Sequence, residues 1–148
     1  MISLRDGLPA ARVGSWREKR RGYAPRSGRW PTRSQTLLAG FFIGAGMNHF
    51  VMPRAYRQIV PPRLRHEAGR LVVVSGVAEI AGGVGVLLPA LRRPAGVGLV
   101  ALLAAVFPAN IHMARAPGHF RRIPRWALYG RLPLQPLMMW WAWKATRR

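Results

Sequence analysis

The sequence predicts an all-α integral membrane protein, in which a four-helix bundle at residues 34–148 follows a disordered basic N-terminal tail at residues 1–33. Two observations predict this fold class, and a third limits the chemistry. Half of the 148 residues are hydrophobic, although the formal net charge is +20. The apolar residues gather in four blocks, and most charges lie between the blocks. Cysteine is absent, which excludes disulfides, thiolate metal sites and thiol redox chemistry.

The first element is the tail at residues 1–33, which carries nine Lys and Arg against two acids. It shows neither a helical nor a strand period, and segments of this composition are commonly disordered. A nucleic-acid binder gathers its basic residues on one face of a soluble fold. Here they lie in a tail and in short loops beside apolar blocks. We therefore expect no nucleic-acid partner, and instead a lipid bilayer with anionic headgroups.

Three apolar blocks predict the first three membrane spans. At 1.5 Å per residue, each block covers roughly 27–30 Å, which is close to the thickness of a hydrocarbon core. A proline stands at the boundary of each block, after the first two and before the third. The predicted spans are residues 34–52, 69–88 and 95–114.

The fourth span, at about residues 126–143, has the weakest signal. Arg131, Gln135 and two prolines interrupt its first half. Its end carries three tryptophans followed by Lys144, which is typical of an anchor at the membrane interface. The sequence therefore predicts a fourth helix that crosses the membrane with polar groups inside it.

Small residues recur throughout the blocks. Gly40 and Gly44 form a Gly-xxx-Gly pair in the first span, and Gly82 and Gly83 are adjacent in the second. Small residues let helices approach closely in lipid, where packing replaces the hydrophobic effect. The pattern favours a tight bundle, although glycine is also simply tolerated in membrane helices.

The charges of the loops predict the orientation. The side that holds both termini and the turn between the second and third spans would carry fourteen Lys and Arg, against nine on the other side. Positive loops are retained on the cytoplasmic side. We therefore expect a multi-pass protein of the cytoplasmic (inner) membrane with both termini in the cytoplasm.

Polar groups inside a membrane span are costly and need a partner or a function, and seven of those in the predicted spans form four local clusters. Under the predicted orientation, all but Glu79 lie in the outer half of the bundle, and Glu79 lies just below them. The sequence therefore predicts a polar ligand-binding pocket. Its candidate residues are Asn48, His49, Glu79, Asn110, His112, Arg131 and Gln135.

Glu79 is the centre of this predicted pocket. It shares a helix face with Ser75 and Gly82, so it should point into the bundle. A carboxylate buried there needs a cationic partner. Arg131 and His49 are the available partners, and the guanidinium fork of arginine suits a carboxylate. The alternative is a structural network that only fixes helix packing.

The other candidates also have plainer explanations. Asn110 follows Pro108 and has the alternative role of repairing the hydrogen bond that proline removes from a helix. His49 and His112 lie near an interface, where histidines are commonly solvated. Residues 53–62 fit either a short interfacial lid over the pocket or a plain connector. The spacing of His and acidic residues resembles no metal site, so we expect no metal and assign no catalytic residue.

One short motif in each predicted span is distinctive as part of a set. The motifs are residues 46–50 (GMNHF) followed by Pro53, residues 75–83 (SGVAEIAGG), residues 106–113 (VFPANIHM) and residues 131–135 (RLPLQ) with the tryptophans at 140–141. Together they cover about residues 36–143 and resemble the DoxX-like family of small four-helix bacterial membrane proteins.

The resemblance implies a redox, quinone-linked setting. DoxX-like relatives include subunits of a thiosulfate:quinone oxidoreductase and partners in oxidative-stress complexes. We therefore expect an accessory subunit of a redox process, with a quinone as the candidate cofactor and a soluble or membrane oxidoreductase as partner. The pocket would donate hydrogen bonds to a quinone carbonyl, and Glu79 would orient Arg131 or relay a proton. A homo-oligomer is compatible with this reading.

Two other functions stay open. A non-catalytic packing or assembly protein would need the same polar network only for helix register. A small-molecule permease would need room for alternating access, which four short helices offer only in an oligomer.

Overall fold

The computed structural model describes residues 30–120 and 123–147, and every regular element among them is helical. The prediction of an all-α fold is confirmed. Of the predicted disordered tail at residues 1–33, residues 1–29 lie outside the described residues, and Arg33 is already the first residue of a helix. The helices are α1 (Arg33–Val51), α2 (Pro53–Ile59), α3 (Ala68–Leu87), α4 (Arg92–Arg115) and α5 (Arg125–Thr146), with 3-10 turns at Pro62–Glu67 and Pro117–Phe120.

Helix α1 begins with a reciprocal cap. The Gln35 backbone N–H donates to Thr32 Oγ1 over 3.3 Å, and the Thr32 N–H donates to Gln35 Oε1 over 2.9 Å. This exchange satisfies two donors that a helix start would otherwise leave unpaired. The helix ends at Val51, just before Pro53, and α2 continues at a bend of 98°. The chain at residues 53–59 is thus a short helix and not an irregular connector.

The turn between α3 and α4 is tight and internally bonded. Arg92 is buried, and its Nε donates to the Val86 carbonyl near the end of α3 over 3.0 Å. Helix α4 begins at Arg92, three residues before the predicted start of the third span. Pro94 therefore lies in the first turn, where proline is tolerated because the first N–H groups of a helix have no helical acceptor.

The four long helices pack as antiparallel neighbours. Helix α1 packs on α3, α3 on α4, and α4 on α5, and a smaller contact returns from α5 to α1. Gln35 Nε2 donates to the Ala145 carbonyl over 2.8 Å, and Trp141 Nε1 donates to Ser34 Oγ over 2.9 Å. These bonds join the start of α1 to the end of α5, so both ends of the described chain lie at one end of the array.

Glycines set the distance between α1 and α3, but they are not the predicted pair. A Cβ added at Gly46 would lie 2.6 Å from the Gly76 carbonyl oxygen, and one at Gly83 would lie 2.9 Å from the Ala39 carbonyl oxygen. Side chains at these positions would hold the two helices apart. Gly40 and Gly44, by contrast, would meet nothing within 4 Å. The Gly-xxx-Gly pair of the sequence faces outward from the chain.

Large hydrophobic side chains lie on the outside as well as in the core. The core cluster is small and consists of Leu38, Phe42, Val86, Leu99, Met138 and Ala142. Many other large apolar side chains are exposed along the long helices, among them Leu37, Phe41, Val74, Val77, Val97, Leu134 and Leu137. An apolar outer surface of this extent is what a lipid-facing helix presents.

Two helical segments of the described chain are long and apolar enough to cross a membrane. They are Pro62–Leu87 and Arg92–Arg115, and the bent pair formed by α1 and α2 would be a third. Helix α5 is not among them. The fourth membrane span therefore stays a prediction, although a long helix occupies that place.

Candidate ligand-binding site

His49 and Glu79 form a contact between α1 and α3. The distance from His49 Nε2 to Glu79 Oε1 is 3.4 Å, and both side chains are largely buried. His49 Nδ1 lies 3.1 Å from the Val72 carbonyl oxygen. The contact forms because the close approach at Gly46 and Gly76 brings the end of α1 against the first half of α3. Of the two partners predicted for Glu79, the structure places His49 beside it.

The two contacts of His49 decide where its protons lie. A carbonyl oxygen only accepts, so Nδ1 must carry a hydrogen that it donates to Val72. Nε2 then meets Glu79 favourably only if one proton lies between them, on the imidazole or on the carboxyl. The other oxygen, Glu79 Oε2, is buried and has no hydrogen-bond partner among the described residues. Besides the hydrogen on Nδ1, one proton thus lies between the two side chains, and Glu79 Oε2 stays without a partner in the described part of the chain.

Tyr56 of α2 covers this pair and is a residue that sequence reasoning missed. Its ring lies 3.8 Å from the His49 ring, centroid to centroid, at an interplanar angle of 30°. Asn48 Nδ2 donates to the Tyr56 hydroxyl over 3.1 Å. The apolar spacing of Tyr56, Ile59 and Val60 after Pro53 was the available signal for a helix that folds back over the site.

Asn110 and Gln135 join α4 to α5. Asn110 Nδ2 donates to Gln135 Oε1 over 2.7 Å, and Gln135 Nε2 donates to the Leu103 carbonyl. Gln135 is 6% exposed, so these bonds lie inside the helix array. Asn110 therefore contacts a side chain of the neighbouring helix.

Arg131 and His112 lie farther from Glu79 in the network. Arg131 Nη1 lies 4.0 Å from Met113 Sδ, a weak contact for a guanidinium. Within the part of the chain that the structure describes, no carboxylate lies at ion-pair distance from Arg131. The His112 ring packs edge-on against Phe120 with centroids 6.1 Å apart. The structure thus shows no ion pair between Arg131 and Glu79, and the His112 ring packs on Phe120 instead.

A cavity of about 430 Å³ lies between α3 and α4 and is closed at one end by α2. We call it the interhelical cavity. Four of the seven predicted residues line it, and the other three, Asn48, His112 and Gln135, do not. The four are His49, Glu79, Asn110 and Arg131, and Tyr56 and Ser75 join them.

The rim of the interhelical cavity is apolar. Its lining includes Leu64, Leu71 and Val74, all of which are exposed. Polar groups therefore lie inside, and apolar side chains surround the opening. A ligand with a polar head and an apolar body matches this distribution, because each part meets its own kind of surface.

No group of three His, Asp or Glu side chains converges anywhere in residues 30–120 and 123–147, as a protein-held metal ion would require. The side chains that line the cavity offer hydrogen bonding and proton exchange, supplied by a carboxylate, an imidazole, an amide, a phenol and a guanidinium.

Comparison with known proteins gives one match. The family model described as a domain of unknown function, DUF8561, matches residues 38–146, which include α1 from Leu38 onward, the other three long helices and the whole lining of the interhelical cavity. No curated protein and no solved structure matches the chain.

Proposed function

Since the chain belongs to the family of unknown function DUF8561, we propose its function from its own geometry. The protein is an inner-membrane accessory subunit of a redox or quinone-linked process. Its interhelical cavity binds the headgroup of a lipid-soluble molecule, with a quinone as the leading candidate. The observation that carries this proposal is a buried carboxylate with one unsatisfied oxygen in a cavity that opens through an apolar rim.

The proposed placement is a four-span bundle in a bilayer. The exposed apolar surface supports this placement, because contact between apolar side chains and water is unfavourable and a bilayer would remove that contact. Helix α5 would be the fourth span even though it is not apolar enough on its own. Its Gln135 points into the array, while Leu134 and Leu137 are exposed on its outer side. The predicted cytoplasmic position of both termini is compatible with the start of α1 and the end of α5, which lie at the same end of the array.

A lipid-soluble ligand fits the route into the cavity. In the proposed bilayer the exposed rim residues Leu71 and Val74 would face acyl chains. A molecule dissolved in the membrane would then reach Glu79 sideways, between α3 and α4, without crossing water. A fully water-soluble ligand would have to pass the same apolar rim at a desolvation cost.

The polar groups of the cavity complement both redox forms of a quinone. The oxidised form presents carbonyl oxygens, which need donors such as His49, Asn110 or Arg131. The reduced form presents hydroxyl groups, which would donate to Glu79 Oε2. A partner oxidoreductase would supply the two electrons that reduce the quinone, and Glu79 would relay one of the two protons that the reduced form gains. The redox assignment itself depends on the resemblance to DoxX-like proteins.

The proposal is tested by binding of decylubiquinone, oxidised and reduced, to the purified full chain in detergent. We expect Glu79→Gln to weaken binding of the reduced form by about tenfold, since a hydrogen bond to a charged acceptor is worth about 1.5–3 kcal/mol. We expect Arg131→Gln to weaken the oxidised form more than the reduced form.

The matched control is Glu67→Gln. Glu67 is the other described acid. It pairs with exposed Arg70 at a distance of 3.3 Å, and neither residue lines the interhelical cavity. This variant should bind both quinone forms like the wild type. Equal binding by wild type and Glu79→Gln, with an unchanged helical content and melting temperature, would refute the quinone site.

The second candidate is a packing or assembly protein without a ligand. It is favoured by the bonds that polar groups already make between helices, namely Asn110 to Gln135 and His49 to Val72. In that case Glu79→Gln would lower the melting temperature, and neither wild type nor variant would bind quinone.

A further inference from the structure

A second and larger cavity lies on the other side of α2. Its volume is about 1200 Å³, and its walls are the end of α1, helix α2, the 3-10 turn Pro117–Phe120 and the start of α5. We call it the α2 cavity. Tyr56, Ile59 and Arg131 line both cavities, so α2 and Arg131 form the partition between them.

The polar lining of the α2 cavity is basic. Arg54, Arg131 and His119 line it together with the neutral side chains Asn48 and Gln58. No Asp or Glu is among its lining residues in the described chain. A cavity wall with two guanidinium groups and no carboxylate attracts an anion.

The described chain offers no spare acid to neutralise these arginines. Its only carboxylic side chains are Glu67, which contacts Arg70, and Glu79, which contacts His49. Asp6 and Glu18 lie outside the described residues, in a tail whose nine basic residues outnumber them. An anion for Arg54 and Arg131 is therefore best supplied from outside the chain.

The remaining lining of the α2 cavity is apolar. Phe50, Val51 and Met52 at the end of α1 are exposed, with Val51 at 74%. Ile59, Phe120 and Ile123 add to this wall. Basic and apolar groups side by side fit a ligand that has an anionic head joined to an acyl chain.

The bend between α1 and α2 puts this cavity at the level of lipid headgroups. Helix α2 leaves α1 at 98°, so if α1 crosses the bilayer, α2 lies along its surface. Arg54 is exposed in the first turn of α2, at the level where the predicted span ends. This step depends on the membrane placement in the proposed function, but not on the quinone site.

We propose that the α2 cavity binds the phosphate group of an anionic phospholipid, with Arg54 and Arg131 as its ligands and the end of α1 against its acyl chains. Guanidinium groups bind phosphate oxygens through paired N–H donors. A lipid phosphate bound there would neutralise the positive charge of Arg131. The lipid would also cover the side of α2 and Arg131 that faces away from the interhelical cavity.

The experiment measures binding of phosphatidylglycerol to the purified full chain in detergent by native mass spectrometry. We expect Arg54→Gln to weaken binding by about fivefold or more, as one basic group near an anionic lipid contributes about that factor. The matched control is Arg57→Gln, which removes the same charge from the same helix at a residue that lines neither cavity. It should bind phosphatidylglycerol like the wild type.

Three outcomes would overturn the proposal. Equal loss in Arg54→Gln and Arg57→Gln would indicate diffuse attraction to the whole basic surface. Equal binding of phosphatidylcholine, whose phosphate is balanced by its choline cation, and of phosphatidylglycerol would show that a net negative charge on the lipid is not required, against the proposal of an anionic phospholipid. Displacement of the lipid by an equal concentration of inorganic phosphate would assign the site to free phosphate.

The same variants separate this site from the quinone site. Arg54→Gln should retain decylubiquinone binding, and Glu79→Gln should retain phosphatidylglycerol binding. Loss of both ligands in Arg54→Gln would contradict two separate sites, whereas loss of quinone binding alone in Glu79→Gln leaves the lipid site intact and supports the separation.

Discussion

Replacing Gly46 with alanine tests the contact that creates the site. A methyl group there would lie 2.6 Å from the Gly76 carbonyl oxygen and 2.8 Å from Ile80 Cγ1. The isoleucine can rotate, but the carbonyl belongs to the backbone of α3. The two helices must therefore separate by about 0.8 Å to restore an ordinary contact of 3.4 Å.

This separation has a calculable cost. A gap of 0.5–1 Å forfeits roughly a quarter to a half of each van der Waals contact across the interface. Overpacking a well-packed contact typically costs about 1–3 kcal/mol. The same shift draws His49, one turn after Gly46, away from Glu79, so binding of decylubiquinone should weaken together with stability.

The assay is thermal unfolding of the purified protein in detergent, followed by circular dichroism. Gly44→Ala is the matched control, because a methyl group at Gly44 meets nothing within 4 Å. Gly44→Ala should leave the melting temperature unchanged or raise it slightly, since alanine stabilises a helix by up to about 1 kcal/mol relative to glycine. Equal melting temperatures for Gly46→Ala and Gly44→Ala would refute the close packing of α1 on α3.

Three further substitutions test the rest of the framework through the melting temperature in detergent. Gln135→Leu leaves Asn110 and the Leu103 carbonyl of α4 without their partner and should lower the free energy of unfolding by about 1–3 kcal/mol. An unchanged melting temperature would contradict these hydrogen bonds between α4 and α5. Gln35→Ala removes one of the two cap bonds of α1, from the Thr32 N–H, together with the bond to Ala145 of α5, and should destabilise the protein by about 1–2 kcal/mol, with faster amide exchange at Thr32. Arg70→Ala breaks an exposed ion pair and should leave the melting temperature unchanged, so a large loss would show that the pair is structural.

The helices could be predicted from the sequence because their signals are local. Each apolar block has the length of a membrane span, and Pro53, Pro89 and Pro94 stand at the boundaries. The prediction missed α2, because seven residues with two arginines carry little helical signal. That helix depends on contacts of Tyr56 with α1, which the sequence does not display.

The packing of the helices could not be predicted from spacing alone. Gly40 and Gly44 have the spacing of a close-packing pair, yet Gly46 makes the contact with α3. Residues 44 and 46 lie about 200° apart around a helix, so choosing the wrong glycine rotates the whole contact face to the opposite side. Only the partner helix decides which face turns inward.

The choice of partner for Glu79 shows the same limit. The sequence contains two candidate partners for Glu79, namely His49 and Arg131. Both lie at a similar predicted depth in the membrane, so depth alone did not select one of them. The contact of α1 with α3 puts His49 at 3.4 Å, whereas Arg131 comes from α5, which packs mainly on α4. Depth along a helix follows from residue number, but the distance between helices depends on their packing order.

The arrangement of Glu79 and Arg131 favours a ligand site over a purely structural network. A network that only fixes helix register gains most when every polar group is paired within the chain. Asn110 and Gln135 meet that condition. Among the described residues, Glu79 Oε2 has no hydrogen-bond partner and the Arg131 guanidinium has only its weak contact with Met113 Sδ, although both line the interhelical cavity. Leaving a buried acceptor without a partner, beside a cationic donor with only a weak one, costs stability. A ligand that bonds to both would recover that cost, which a packing role alone leaves unexplained.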